Sequence, residues 1–150
     1  MELPKRILVA IDFSDTSNRA LRYGIGLAKA LGAKLTVAHV YELPVYGFPS
    51  GAMVATVEMA TQIMTSAKNA TEEVCKAHAG EGVEMTPIVR QGVTWQEIHS
   101  IADEVSADLI VIGTHGRTGL AHAVLGSVAE KIIRTATRPV LTIHGTRKPS

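Results

Sequence analysis

Runs of apolar residues alternate with amphipathic stretches along this chain, and the alternation predicts an α/β fold. Five short apolar runs are typical of strands, at residues 5–11, 34–40, 83–89, 108–113 and 139–143. Between them lie four segments with apolar residues at helical spacing, 14–31, 52–78, 94–105 and 127–135. Residues 7–11 of the first run are continuously apolar, as expected when helices cover both faces of a parallel sheet, so the pattern predicts a doubly wound α/β fold with a five-stranded parallel sheet.

Breaks in the pattern sharpen this prediction. Residues 41–51 contain Pro44, Gly47 and Pro49, so we expect a loop there, long enough to be a flap or a partner surface. Pro87 lies within the third predicted strand and places it at an edge of the sheet, because proline cannot donate to an inner ladder. Gly32 ends the first helix, and Ser14 is among the residues that can cap its start.

Length, composition and charge narrow the class of protein. The 150 residues fit one domain, residues 1–150, and 46% hydrophobic with 19% charged residues is a globular composition. A net charge of +1 gives no electrostatic reason to expect nucleic acid or an anionic membrane as a partner. No apolar run approaches the roughly 18 residues of a membrane span, and the N-terminus does not resemble a signal peptide. The single cysteine, Cys75, predicts a small core residue in a reducing compartment, so we expect a cytoplasmic protein.

The segment from Leu109 to Lys131 carries the strongest chemical signal. Its apolar strand breaks at Gly113-Thr114-His115-Gly116, and after nine further residues Gly126-Ser127 opens a helix. Glycines let backbone N–H groups approach a ligand, and a helix N-terminus supplies unpaired donors and a partial positive charge, so the segment predicts an anion site. The structural alternative is a set of turns with a capping box formed by Ser127 and Glu130.

Asp12, at the end of the first strand, is a further candidate site residue because it carries a carboxylate. It can hold a ribose hydroxyl or a divalent ion beside a phosphate, or it can act as a turn or cap residue. The chain contains no P-loop of the form Gly-x-x-x-x-Gly-Lys-Ser/Thr, no Gly-x-Ser-x-Gly elbow and no Cys-x-x-Cys. Standard P-loop hydrolysis, α/β-hydrolase chemistry and thiol redox chemistry therefore lack their motifs. The histidines show no metal-site spacing, and Trp95 is interpreted as a core anchor.

The motif Gly-x-x-Gly, nine residues, Gly-Ser resembles the nucleotide-binding motif of the universal stress protein family. Residues 6–14 and 138–141 also resemble that family, so the similarity extends over nearly the whole chain. The resemblance implies the strand order 3-2-1-4-5, with the first and fourth strands adjacent. Ligands of such sheets bind at the carboxyl ends of the strands where the order reverses, which is where Asp12 and Gly113 lie.

The resemblance also implies a ligand and the residues that hold it. The ligand is ATP, with Mg²⁺ or Mn²⁺ possible at its phosphates, and the expected partner is a second copy bound through the fifth strand. A nucleotide contact is implied for Asp12, a backbone contact to adenine for Val40, and phosphate contacts for Gly113, Gly116, Gly126 and Ser127. Arg117 lies within the loop, where it could reach a terminal phosphate, and His115 could add a donor.

We therefore expect an ATP-binding universal stress protein that acts as a nucleotide-loaded regulatory or sensor module. Two alternatives stay open: a slow ATPase or nucleotidyl-transferring enzyme, and a dimerisation module with a vestigial nucleotide site. The residues do not distinguish ATP from AMP or cyclic AMP, because a loop that binds phosphates says little about their number.

Overall fold

A five-stranded parallel sheet forms the centre of the computed structural model, which describes residues 2–115 and 125–145. Seven strands occur in that part of the chain: β1 Arg6–Ala10, β2 Lys34–Tyr41, β3 Val45–Phe48, β4 Gly51–Val54, β5 Met85–Gln91, β6 Leu109–Gly113 and β7 Val140–Ile143. The main sheet has the order β5-β2-β1-β6-β7, and all its pairings are parallel. Counted along its own five strands, this is the predicted order 3-2-1-4-5, and the doubly wound fold is confirmed.

Among the described residues, four helices cover the two faces of the sheet: α1 Asp15–Leu31, α2 Val57–Ala77, α3 Thr94–Glu104 and α4 Ser127–Thr135, with a 3₁₀ turn at Ala79–Glu81. Side chains of a strand point alternately to its two faces, so Ile7 and Val9 pack against α1 while Leu8 packs against α3 and α4. Both faces of β1 and β6 are buried in this way, which explains why their sequences are uniformly apolar.

The ends and the packing of α1 follow from single residues. Ser14 is its N-cap and accepts a hydrogen bond at Oγ from the N–H of Ser17 (3.2 Å). Gly32 ends the helix in the left-handed conformation, with φ 63°. A Cβ at Gly24 would lie 2.5 Å from Cγ2 of Val9, so the absence of a side chain lets α1 lie close to β1.

The prediction of a loop over residues 41–51 is wrong from Val45 onward, because residues 45–54 form a β-hairpin. Strands β3 and β4 pair antiparallel around Pro49-Ser50, with Phe48 opposite Gly51 and Val45 opposite Val54. Of the residues that suggested a loop, Pro44 precedes the hairpin and Pro49 lies in its turn, while Gly47 lies within β3 beside Tyr46 and Phe48, which favour a strand. Helix α2 consequently begins at Val57, capped by the Thr56 hydroxyl, and not near Ala52 as predicted.

Strand β5 lies at one edge of the sheet, as Pro87 predicted, although it spans Met85–Gln91 and not 83–89. The carbonyl of Glu84 accepts from Leu35 N–H, and Gly92 N–H donates to the carbonyl of Tyr41. Alternate residues of a strand bond to the same neighbour, so even-numbered residues of β5 face β2 and Pro87 faces the open side. The missing N–H of Pro87 therefore weakens the outer edge and leaves the inner ladder intact.

Asp108 ties the amino ends of β1 and β6 together, far from the carboxyl edge of the sheet. Its Oδ2 accepts hydrogen bonds from the N–H groups of Lys5 and Arg6, both at 2.9 Å. The hydrogen bond from Lys5 is the largest cause of a lowered pKa of this carboxyl, with the bond from Arg6 and the positive charges of both residues acting in the same direction.

We expect Asp108→Asn to lower the free energy of unfolding near neutral pH. Since the folded-state pKa lies below the ordinary value, the carboxylate contributes stability above that value and loses it as the pH falls through the folded-state pKa. Urea unfolding at a series of pH values should therefore show that the difference in the free energy of unfolding between wild type and variant disappears below about pH 4. Glu73→Gln, at an exposed carboxyl of α2, is the control. A gap that persists at the lowest pH would contradict the assignment.

Candidate nucleotide-binding site

A pocket of about 210 Å³ opens at the carboxyl ends of β1 and β6, where the strand order reverses. Five of the seven predicted site residues line it: Asp12, Val40, Gly113, Gly126 and Ser127. These residues come from four separate stretches of the chain, and the sheet brings them together as expected for a doubly wound fold. The other two, Gly116 and Arg117, lie outside the described residues.

The two described glycines of the motif have a packing role that sequence reasoning did not predict. Neither adopts a positive φ; Gly126, for example, has φ −61° and ψ 153°. A Cβ at Gly113 would lie 3.2 Å from the backbone of Thr16, and a Cβ at Gly126 would lie 2.9 Å from the carbonyl oxygen of Thr114. These glycines allow close backbone approach, which brings the starts of α1 and α4 against the end of β6.

Helix α4 presents an uncapped N-terminus to the pocket. Gly126 is the N-cap and has no side chain to donate or accept, and the first intrahelical bond runs from Glu130 N–H to the carbonyl of Gly126 (2.9 Å). The capping box predicted for Ser127 and Glu130 is wrong, because the helix starts one residue earlier than such a box requires and Glu130 pairs with Arg134. Within the described residues, the N–H groups of 127–129 have no partner, and all three residues line the pocket.

Asp12 is held in a fixed turn on the opposite side of the pocket. Its Oδ1 accepts hydrogen bonds from the Ser14 N–H (3.0 Å) and the Ser14 hydroxyl, and its own N–H donates to Oγ of Ser17 (3.2 Å). The next residue, Phe13, has φ 64°, an unusual value for a residue with a side chain. The turn leaves Oδ2 without a hydrogen bond to any described residue, so this oxygen is available to a ligand.

Thr114 is a central residue of the site that the sequence did not single out. It is 1% exposed, its N–H donates to the carbonyl of Ile143 (3.0 Å), and its carbonyl accepts from Gly126 N–H (2.7 Å). Its hydroxyl lies 2.9 Å from Nδ1 of His115, which also lines the pocket. A threonine after a strand has no distinguishing pattern, so only the folded arrangement identifies this role.

Strand β2 and helix α3 complete the pocket wall. Val40, near the end of β2, is 8% exposed, and Thr94 and Ile98 come from the first turns of α3. Trp95 is not among the lining residues; it packs against the core beneath α3 and α4, with the ammonium of Lys131 5.1 Å from its ring centre. The interpretation of Trp95 as a core anchor agrees with this position.

Three other sequence-based expectations concern residues away from the pocket. Cys75 packs against the core next to α1, and burial, reinforced by Glu72, raises the pKa of its thiol. Among residues 2–115 and 125–145, no three His, Cys, Asp or Glu side chains are grouped to hold a metal ion. In the same residues no helix combines the length and the apolar character that crossing a bilayer would demand.

Comparison with known proteins assigns the chain to a family. The sequence profile of the universal stress protein family matches residues 4–144, and the chain belongs to that family. A relative from Methanocaldococcus jannaschii, universal stress protein MJ0531, is 34% identical over 97% of this chain and 85% of its own length.

Solved structures share the fold over nearly their full length. The structure of MJ0577, from the same archaeon, superposes with a TM-score of 0.79 at 26% identity and covers 96% of this chain and 98% of its own. A universal stress protein from Archaeoglobus fulgidus, solved in complex with dAMP, has a TM-score of 0.61 at 30% identity, with 92% and 96% covered. The family and the fold of the chain therefore agree with those of its solved relatives.

We expect Gly126→Ala to destabilise the protein even without ligand. Its Cβ would meet the Thr114 carbonyl oxygen, a backbone atom that cannot turn away, and overpacking of this kind costs about 1–3 kcal/mol. Thermal unfolding followed by circular dichroism measures the change. The matched control is Gly26→Ala in α1, where a Cβ meets nothing within 4 Å and should stabilise the helix by up to about 1 kcal/mol. Equal effects of the two substitutions would contradict a packing role for Gly126.

Proposed function

We propose that this chain is an ATP-binding universal stress protein that acts as a nucleotide-loaded regulatory module. The observation that carries the proposal is the uncapped start of α4 facing Asp12 across the pocket. The three unpartnered N–H groups of 127–129 suit the phosphates, because a helix N-terminus favours negative charge. The Oδ2 atom of Asp12 suits a ribose hydroxyl or a phosphate-bound Mg²⁺ or Mn²⁺.

The adenine base would lie against the wall formed by Val40, Ile98 and neighbouring residues. That wall is apolar and buried, while the polar groups of the pocket are concentrated at the ends of β1 and β6. A ligand with one flat apolar end and one anionic end matches this division. The dAMP complex of the Archaeoglobus fulgidus relative supports an adenine nucleotide as the ligand class.

A slow ATPase is the second candidate, and Asp12 is the residue that favours it. Asp12 is the one carboxylate among the described lining residues, and a hydrolytic enzyme needs a base beside the attacking water. Its Oδ1 is already bonded to Ser14, which suits a fixed binding group better than a base that moves a proton. Phosphate release by the purified protein, abolished in Asp12→Asn at saturating ATP, would favour the enzyme over the regulatory module.

We expect near-saturating ATP with Mg²⁺ to raise the Tm of the wild-type protein by roughly 5–10 °C. A ligand at about 100 times its Kd adds roughly 2.7 kcal/mol, and about 1 kcal/mol shifts a domain of this size by roughly 2–4 °C. Ser127→Pro should abolish most of this shift. Proline is favoured at the first residue of a helix, and Gly126 already has an extended conformation that a following proline accepts, so the variant removes one donor without breaking α4.

Two variants separate the roles of the N–H group and the hydroxyl. Ser127→Ala keeps the N–H and should retain most of the ATP-induced rise in Tm. Val57→Pro is the control for a proline at the first residue of a helix, because Val57 begins α2 away from the pocket. Titration with ATP, AMP and cyclic AMP by calorimetry then ranks the nucleotides. If Ser127→Pro folds and keeps the full shift, α4 is not the phosphate site; no shift for any nucleotide in the wild type would support the dimerisation module with a vestigial site.

We also propose that the chain forms a homodimer through the outer edge of β7. The carbonyls of Pro139 and Ile143 accept from β6, so alternation directs the backbone groups of Val140 and Thr142 outward. Because Pro139 faces β6, its missing N–H is lost from the inner ladder, whereas the missing N–H of Pro87 is lost from the outer edge of β5. The two edges of the sheet thus differ, and β7 is the edge that can add a strand from a second copy.

Thr142→Pro should convert a β7-linked dimer into a monomer. It removes an outward-facing N–H and leaves the bonds of Leu141 and Ile143 to β6 in place. Thr142→Ala keeps the N–H and serves as the control. Light scattering on the eluting peak gives the masses; a Thr142→Pro variant that is folded by circular dichroism and keeps the wild-type mass would place the interface elsewhere.

A further inference from the structure

The hairpin Val45–Val54, here called the apolar hairpin, projects a surface that the nucleotide site and the β7 edge do not use. All eight residues of its two strands are exposed, and five of them are large and apolar: Val45, Tyr46, Phe48, Met53 and Val54, each 44–66% accessible. Adjacent Val57 is 82% accessible. Isolated apolar residues are common on protein surfaces, but a continuous set of this kind marks an interaction surface.

The apolar hairpin is apolar on both of its faces. Pairing places Tyr46 opposite Met53 and Val45 opposite Val54, so aromatic and thioether side chains share one face and valines share the other. A two-stranded hairpin is marginal in water without a third element to cover it, and in the described structure β3 and β4 pair only with each other. Its two outer edges also contain none of the lysines or prolines that usually protect exposed strands.

The charge pattern specifies what can cover this surface. Residues 43–57 contain no charged side chain, and the only charges from 41 to 67 are those of Glu42 and Glu58. An anionic membrane is disfavoured, because surface binding to it relies on lysine and arginine near the apolar residues. The partner surface must itself be uncharged and able to pair with an open strand, and the apolar hairpin of another copy has both properties.

The size of the surface suits a protein partner. A large apolar or aromatic residue exposes about 150–250 Å² when fully accessible. At the observed exposures, the five hairpin residues and Val57 present on the order of 600 Å², and the exposed glycines, Pro49, Ser50 and Ala52 add to it. A standard interface needs about 800 Å² from each partner. Two copies together present about 1,200 Å², which lies at the lower end of the range for specific interfaces, and backbone hydrogen bonds between the open strand edges add to the contact.

We propose that the apolar hairpins of two copies pair with each other and form a second self-association surface, separate from the outer edge of β7. Antiparallel pairing about a twofold axis extends two hairpins into a four-stranded sheet and brings Tyr46 and Phe48 beside their counterparts. A chain with two different twofold contacts assembles beyond the dimer, into a closed tetramer where the two axes are perpendicular.

Substitution of Phe48 by lysine tests the surface directly. Phe48→Lys places a charge in the apolar surface, and Tyr23→Lys makes the same change at an aromatic of α1 that is exposed to nearly the same degree, 54% against 50%. We expect sedimentation velocity at micromolar concentration to show a wild-type species larger than a dimer. Phe48→Lys and Thr142→Pro should each give dimers, the double variant monomers, and Tyr23→Lys the wild-type mass.

The masses of the variants distinguish the absence of the β7 contact from the absence of the hairpin contact. If only the β7 contact is absent, Thr142→Pro has no effect and Phe48→Lys alone gives monomers, which still supports the hairpin pairing. A folded Phe48→Lys protein with the wild-type mass overturns it. The pairing is also overturned if the wild type cosediments with neutral phosphatidylcholine vesicles and Phe48→Lys does not. The apolar hairpin would then bind lipid and not a second copy.

Hydrogen exchange provides a readout that does not depend on any variant. Amides of residues 45–54 should become more protected as the wild-type concentration rises, because pairing buries outer backbone groups that are open in a single copy. Protection of this segment that is the same at low and high concentration would contradict the pairing.

Discussion

The close backbone contact at the end of β6 is the constraint on which the rest of the site depends. Gly113 packs against the backbone of Thr16, and Thr114 joins two further elements through its N–H to Ile143 and its carbonyl to Gly126. Helix α1, strand β7 and helix α4 therefore converge on two consecutive residues. A Cβ at Gly126 would meet the carbonyl oxygen of Thr114 at 2.9 Å, and a Cβ at Gly113 would meet both Cγ2 of Thr16 at 2.8 Å and its backbone at 3.2 Å, so a side chain at either position would push these elements apart.

In this arrangement the glycines leave room for neighbouring backbone, while the polar groups of the pocket come from other residues. The donors are the first N–H groups of α4, and Gly126 matters because it lets that helix start directly beside Thr114 without a capping side chain. Opposite them, Asp12 is fixed by two hydrogen bonds from Ser14. Phe13, with φ 64°, packs its ring 4.6 Å from that of His39, whose Nδ1 lies 2.9 Å from the carbonyl oxygen of Ile11. Groups fixed before binding lose little entropy when a ligand arrives.

Sequence patterns predicted the parts of this structure that depend on local periodicity and failed where three-dimensional context decides. Uniformly apolar strands and the edge position of Pro87 were predictable, since each follows from a rule about one strand. The hairpin was not, because Pro44, Gly47 and Pro49 obscured two short strands that no core covers. The start of α4 was predicted correctly, but the capping residue was not, because Gly126 and not Ser127 is the N-cap. Thr114 has no sequence signal, because its role requires β7 and α4 to meet at the end of β6.

The edge of the sheet and the pocket are connected by the same few hydrogen bonds. The last carbonyl of β7, on Ile143, accepts from Thr114, and the carbonyl of Thr114 accepts from the residue that starts α4. A partner strand on β7 would fix one end of this chain of contacts, and a phosphate at α4 would fix the other. If either event shifts Thr114, the other must respond by the same free energy, because coupling between two binding equilibria is reciprocal. If the proposed nucleotide site and the proposed β7 contact both form, these hydrogen bonds are the shortest connection between them.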